Sequence, residues 1–144
     1  MTIAQALKEK NRILSSIKKI KSRINSHNQI IKGDVRPYDI CELYDDLIKE
    51  QQKLVNIKTE IHLASEPVRF FIFKQSELKD LLVFLKSIPN QRGTKSDRYS
   101  GTPYEVDSEF DTVKVDQLCE SLESQIIEIQ DKLDNFNHNT EVNF

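Results

Sequence analysis

Along the N-terminal part of the chain apolar positions recur at steps of three and four: Ala6, Ile13, Ile17, Ile20, Ile24 and Ile31, with Lys10 and His27 filling the gaps. That heptad-like seam predicts an amphipathic helix over residues 3–31, about 45 Å long at the standard rise per residue. Leu7 and Leu14 widen the face. Gly33 suits a left-handed cap and Pro37 the first turn of a following helix, so a short loop and an antiparallel hairpin are expected. A second seam, Ile40, Leu43, Leu47, Leu54, Ile57, Ile61 and Ala64, is interrupted only by Glu50. It predicts a helix from residue 37 or 39 to 64, with Asp39 and Glu42 spaced as a capping box.

Ser65-Glu66-Pro67 breaks the pattern. The aromatic run Val68-Arg69-Phe70-Phe71-Ile72-Phe73 reads as a short extended segment, or as the start of a third helix. That helix is expected over residues 76–88, with Leu78, Leu81, Leu82 and Leu85 on its buried face and Pro89 closing it. Turn formers crowd residues 89–111, which predicts a long loop holding one small β-hairpin, residues 104–106 against 112–115. A last helix is expected over residues 115–136, with Leu118, Leu122, Ile126, Ile129, Leu133 and Phe136 on one face, followed by a polar tail that caps the bundle. The fold class is therefore mainly α: a long antiparallel helical hairpin plus two further helices in a coiled-coil-like bundle. A chain of 144 residues is one domain by size, here 1–65 hairpin, 66–111 short helix and loop, and 112–144 final helix and tail.

Charge sharpens the picture. Residues 1–33 carry eight bases against Glu9 alone, a balance of +7, whereas residues 105–144 carry eleven acids against Lys114 and Lys132, a balance of -9. Lys18, Lys19, Lys21 and Arg23 form a candidate basic stripe for nucleic acid or anionic lipid. Mutual neutralisation of the basic and acidic helices, within or between chains, is the preferred reading, because a polyanion site would otherwise carry its own competitor.

Composition removes several classes. No apolar run approaches the roughly 20 residues of a membrane-spanning helix, and the N-terminus lacks the pattern of a secretory signal. Two cysteines, Cys41 and Cys119, fit reduced thiols in the cytoplasm. His27, His62 and His138 all fall near helix C-termini, where the dipole favours them; in an antiparallel hairpin His27 and His62 lie at opposite ends and cannot share an ion. Gly-rich phosphate loops, nucleophile elbows and zinc-protease signatures are missing from the sequence. The expectation is a protein without catalysis, metal or cofactor.

One constellation stands out in the loop, Asp97-Arg98-Tyr99-Ser100, where Arg beside Tyr suits an interface or an anion. Together with Thr112-Val113-Lys114-Val115-Asp116-Gln117-Leu118 and the stretch Leu133-Asp134-Asn135-Phe136-Asn137-His138-Asn139-Thr140-Glu141-Val142, it resembles the small bacterial septicolysin-like proteins. His138 stands where that family has Trp, and residues 68–73 lack its Gly-Thr-Leu-Thr-like turn. The resemblance implies a mainly helical subunit assembling into a homo-oligomer, a hexamer, and marks Asn137, His138, Thr140 and Glu141 as a tail motif. The expected role is a cytoplasmic, homo-oligomeric scaffold or interaction protein. Two alternatives remain: a membrane-perturbing cytolysin-like protein with residues 70–73 as its wedge, and a nucleic-acid-binding oligomer using the basic stripe.

Overall fold

The computed structural model describes residues 1–90 and 92–144. The elements in order are α1 (Ile3–His27), α2 (Ile40–Ala64), a 3-10 turn (Glu66–Val68), α3 (Arg69–Ser87), β1 (Gly93–Ser96), β2 (Pro103–Val106) and α4 (Thr112–Asn139). They fall into two compact units, Met1–Pro67 with Asp134–Phe144, and Val68–Leu133. α4 thus contributes to both, a division by contact that the segments drawn from the sequence do not follow.

In the first unit α1 packs on α2. Each begins at a polar residue that satisfies backbone donors the helix cannot satisfy itself. Thr2 Oγ1 accepts from Gln5 N while Gln5 Oε1 accepts from Thr2 N, a complete capping box. Asp39 Oδ1 accepts from Cys41 N and Glu42 N, the forward half of the box the sequence predicts. The facing seams meet as expected: Ile3, Ala6, Ile13, Ile17, Leu47 and Ile57 are buried, with Leu7, Ile20, Ile24, Leu54, Ile61 and Ala64 packed against them. Val142 and Phe136 complete this core. The tail reaches it by pairing with the N-terminus: Thr2 bridges Glu141, Ile3 N donates to Thr140 O at 2.8 Å and Val142 N to Met1 O at 2.8 Å.

α1 is shorter than its seam. It ends at His27, with Asn28 as C-cap, and Ile31 is 77% exposed. Gly33 does adopt a positive φ of 98°, but in the turn after the helix, where Asp34 N donates to Ile31 O. Arg36 donates to Asn28 O and so closes this loop on the helix end. The apolar period outruns the helix because nothing on α2, which starts at Ile40, lies level with residue 31.

In the second unit α3 packs on α4 through Leu85, Val115, Cys119 and Leu122, with Leu78, Leu82, Ile88 and Leu118 around them. Buried Gln75 is satisfied by Gln130, its Nε2 donating to Oε1 at 2.8 Å. Of the two readings of the aromatic run the helical one holds, and α3 begins at Arg69, earlier than the expected residue 76. An aromatic run favours a strand only where a neighbouring strand can take its backbone bonds, and a helix satisfies them alone. Leu81, at the edge of the expected face, is 43% exposed, so the buried face narrows to Leu78, Leu82 and Leu85.

The small hairpin exists, but residues 103–106 pair with Gly93–Ser96 and not with residues 112–115. Asp111 accounts for the change: its Oδ1 accepts from Lys114 N and its carbonyl from Val115 N, which commits residues 112–115 to the first turn of α4.

Ile57 is fully buried, and Ile57→Ala should destabilise the protein by about 2–5 kcal/mol. Ile31→Ala, on a position the seam alone would place in the core, should cost less than about 0.5 kcal/mol. Urea denaturation of the two variants measures both.

Candidate functional site

The loop constellation forms the turn between β1 and β2. Asp97 organises it: Oδ1 accepts from Tyr99 N at 3.0 Å, Oδ2 from Ser100 Oγ at 2.8 Å, and its carbonyl from Gly101 N at 2.9 Å. Gly101 carries the positive φ, 65°, that the turn requires. Donation from Tyr99 N, then from the Ser100 hydroxyl, holds the Asp97 carboxyl below the usual aspartate range. Tyr99 is 97% exposed, and among the described residues Arg98 makes no ion pair. The motif is therefore a self-contained turn that displays one tyrosine and one arginine.

The electrostatic work of the segment falls to Arg92, which no sequence motif singles out. Its Nε meets Asp107 Oδ1 at 2.9 Å, and its Nη2 meets Asp111 Oδ2 at 3.4 Å and donates to Ser108 O at 3.1 Å. Asp111 thus caps α4 with one oxygen and receives Arg92 with the other. No local motif announces such a clamp, since its parts are separated by the whole hairpin.

The tail motif belongs to the first unit. Asn137 and His138 lie in the last turn of α4, His138 exposed, while Thr140 and Glu141 supply the backbone pairing with the N-terminus. Of the basic stripe, Lys18, Lys19 and Lys21 are exposed, but Arg23 is half-buried over the Tyr38 ring at 4.9 Å, beside His27 at 5.3 Å from the same ring. The only acid of α1 is bound locally: Arg12 grips Glu9 with Nε and Nη2 at 2.8 and 2.6 Å. That hydrogen bonding lowers the Glu9 carboxyl and raises the Arg12 guanidinium.

Concave features are shallow. A groove of about 530 Å³ on the α1–α2 hairpin is lined by Ser16, Ile20, Asp46, Lys49, Glu50, Gln52, Lys53 and Asn56. Glu50 there is already engaged by Lys53 at 2.7 Å, and the walls mix both signs of charge. Among the described residues no group of three or more His, Cys, Asp or Glu is placed to hold a metal, and no helix is long and apolar enough to cross a membrane. Cys41 is exposed and Cys119 buried.

The more informative surface is convex. α3 carries apolar residues on both sides: one side packs on α4, and on the other Phe70, Phe73, Leu81 and Phe84 are 67%, 62%, 43% and 59% exposed. At 3.6 residues per turn these four fall within one stripe. α2 presents a second outward stripe, Tyr44, Ile48 and Val55. Residues 70–73 alone suggest a membrane wedge; the further signal in the sequence is that the aromatic spacing continues in phase to Phe84.

The chain matches no known family model, no curated protein and no solved structure.

Asp111→Ala should remove the α4 cap and cost about 0.5–2 kcal/mol, while Arg92→Ala, on a solvent-exposed pair, should cost less than about 1 kcal/mol. Thermal melts distinguish them. The Asp97 turn should also respond to acid. A carboxyl held below its unfolded value contributes stability above that value and loses it as pH falls through the folded one. The amide signals of Tyr99 and Gly101 should therefore move only well below about pH 4, the unfolded aspartate value; movement near neutral pH would contradict the geometry.

Proposed function

We propose that the protein is a non-catalytic, self-associating helical scaffold of the cytoplasm, built to place copies of itself side by side. The observation that carries this reading is the double-sided apolar character of α3, whose outward aromatics stay in water in the single chain. Contiguous apolar stripes of this kind rimmed by charge are typical of protein interaction surfaces. The α2 stripe offers a second contact, as an assembly larger than a dimer requires; the hexamer of the septicolysin-like resemblance would need at least two such surfaces. Exposed Cys41 suits a reducing compartment.

Sedimentation and light scattering across a concentration series, at about 20 and about 500 mM salt, test the reading. The expected result is a species heavier than the 16.8 kDa chain, growing with concentration. A single chain mass at every concentration and both salts would remove the scaffold function.

A further inference from the structure

The outward stripe of α3 is symmetric about one residue. Counting from Glu77, Phe70 and Phe84 lie seven positions away on either side, and Phe73 and Leu81 four. A stripe that reads the same in both directions suits two antiparallel copies related by a two-fold axis, where the same patch must serve both partners. We propose that α3 pairs with α3 of a second copy of this chain, antiparallel, with the two-fold axis passing beside Glu77. Phe70 of each copy then faces Phe84 of the other, and Phe73 faces Leu81.

Charge fixes the occupant. Lys74, Glu77 and Asp80 are all exposed, and among the described residues none of them forms an ion pair; Lys74 Nζ instead hovers 5.9 Å from the Phe70 ring. With axes about 9 Å apart, Lys74 of one copy stands within side-chain reach of Glu77 of the other. The axis generates this contact twice, so the two glutamates at the centre are each met by a lysine across the interface. A lipid surface offers no such complement: an apolar wedge gains nothing from a carboxylate in the middle of its buried face.

Area agrees with a modest dimer. Phenylalanines of roughly 200 Å² each, exposed as these are, with Leu81 give on the order of 1,000 Å² over the two copies, the lower bound for a specific interface. This inference rests on the self-association proposed above but assigns it to one face and one geometry.

The test uses two charge reversals, Lys74→Glu and Glu77→Lys, in the full chain, with circular dichroism confirming that each stays helical. Each variant alone places like charges across the axis and should associate at least tenfold more weakly than the parent. Mixed in equal amounts, the acidic and basic variants should recover a two-chain species. Phe73→Asp should weaken association and should not be rescued by either partner. If the parent associates while both reversals leave its association unchanged, scaffold formation stands and the α3 axis falls. Failure of the mixture to recover overturns the axis as well. A parent that stays monomeric to about 200 µM overturns both, since even micromolar binding, the weak end of the range for specific interfaces, is populated at that concentration. Flotation of the parent with phosphatidylcholine–phosphatidylglycerol vesicles, lost in Phe73→Asp, would assign the stripe to a membrane and overturn the pairing.

Discussion

A pair of packed helices can shelter only one face of each member, and most of this chain follows from that constraint. α1 and α2 bury their facing seams and leave the rest of their surfaces in water. The first unit gains a further apolar contribution only by drawing Val142 and Phe136 onto the hairpin, which the backbone pairing of Met1–Ile3 with the tail makes possible. The ends of the chain are held by hydrogen bonds whose donors and acceptors would otherwise lie at a helix start with no partner. In the second unit α3 and α4 repeat the arrangement with less to bury, since α3 has more apolar residues than its one partner can cover. The surplus aromatics at residues 70, 73 and 84 are the physical residue of that mismatch.

Periodicity made the helices legible. Every apolar position of the α2 seam is buried or half-buried, and the final helix keeps its expected face with Val115 and Cys119 added. What periodicity could not supply was where a seam stops being used. Ile31 continues the pattern of α1 in phase, yet a helix side chain is buried only if its partner extends that far, and partner length is not a local property. Leu81 failed for a related reason. It falls at the edge of the arc that holds Leu85, Leu78 and Leu82, and α4 covers that arc only as far as Leu85.

The loop shows a different limit. Turn residues correctly marked a hairpin, but the identity of its second strand depended on competition between two backbone partners for residues 112–115. Asp111 decides it, because an aspartate before Thr112 satisfies two donors of the first helical turn at once, whereas a strand there would leave that carboxylate idle. The candidate motif Asp97–Ser100 was visible as composition, and its chemistry resolved into an Asx-type turn whose hydrogen bonds are internal. Arg92, which ties the hairpin to the start of α4, was invisible because its acids lie 15 and 19 positions away.

A carboxylate at the centre of an otherwise apolar stripe costs stability in any contact that buries it unmatched. Four large apolar side chains without it would pair in several registers with similar energy, and a flat aromatic face of that kind tends to associate without limit. Glu77 narrows those registers: a one-turn slide that brings each glutamate level with Lys74 of the other copy unpairs Phe70 from Phe84 and Phe73 from Leu81, and the opposite slide brings it level with Asp80 and Leu81, so the register centred on residue 77 is the one that keeps the apolar pairs and the lysine within reach together. A buried or half-buried polar pair that lowers affinity while fixing alignment is the best-attested use of such groups in paired helices. The same reasoning explains why modest affinity and defined geometry belong together on this surface. Replacing the glutamate by an apolar residue would strengthen contact between copies and, by the same step, erase the information that says where they meet.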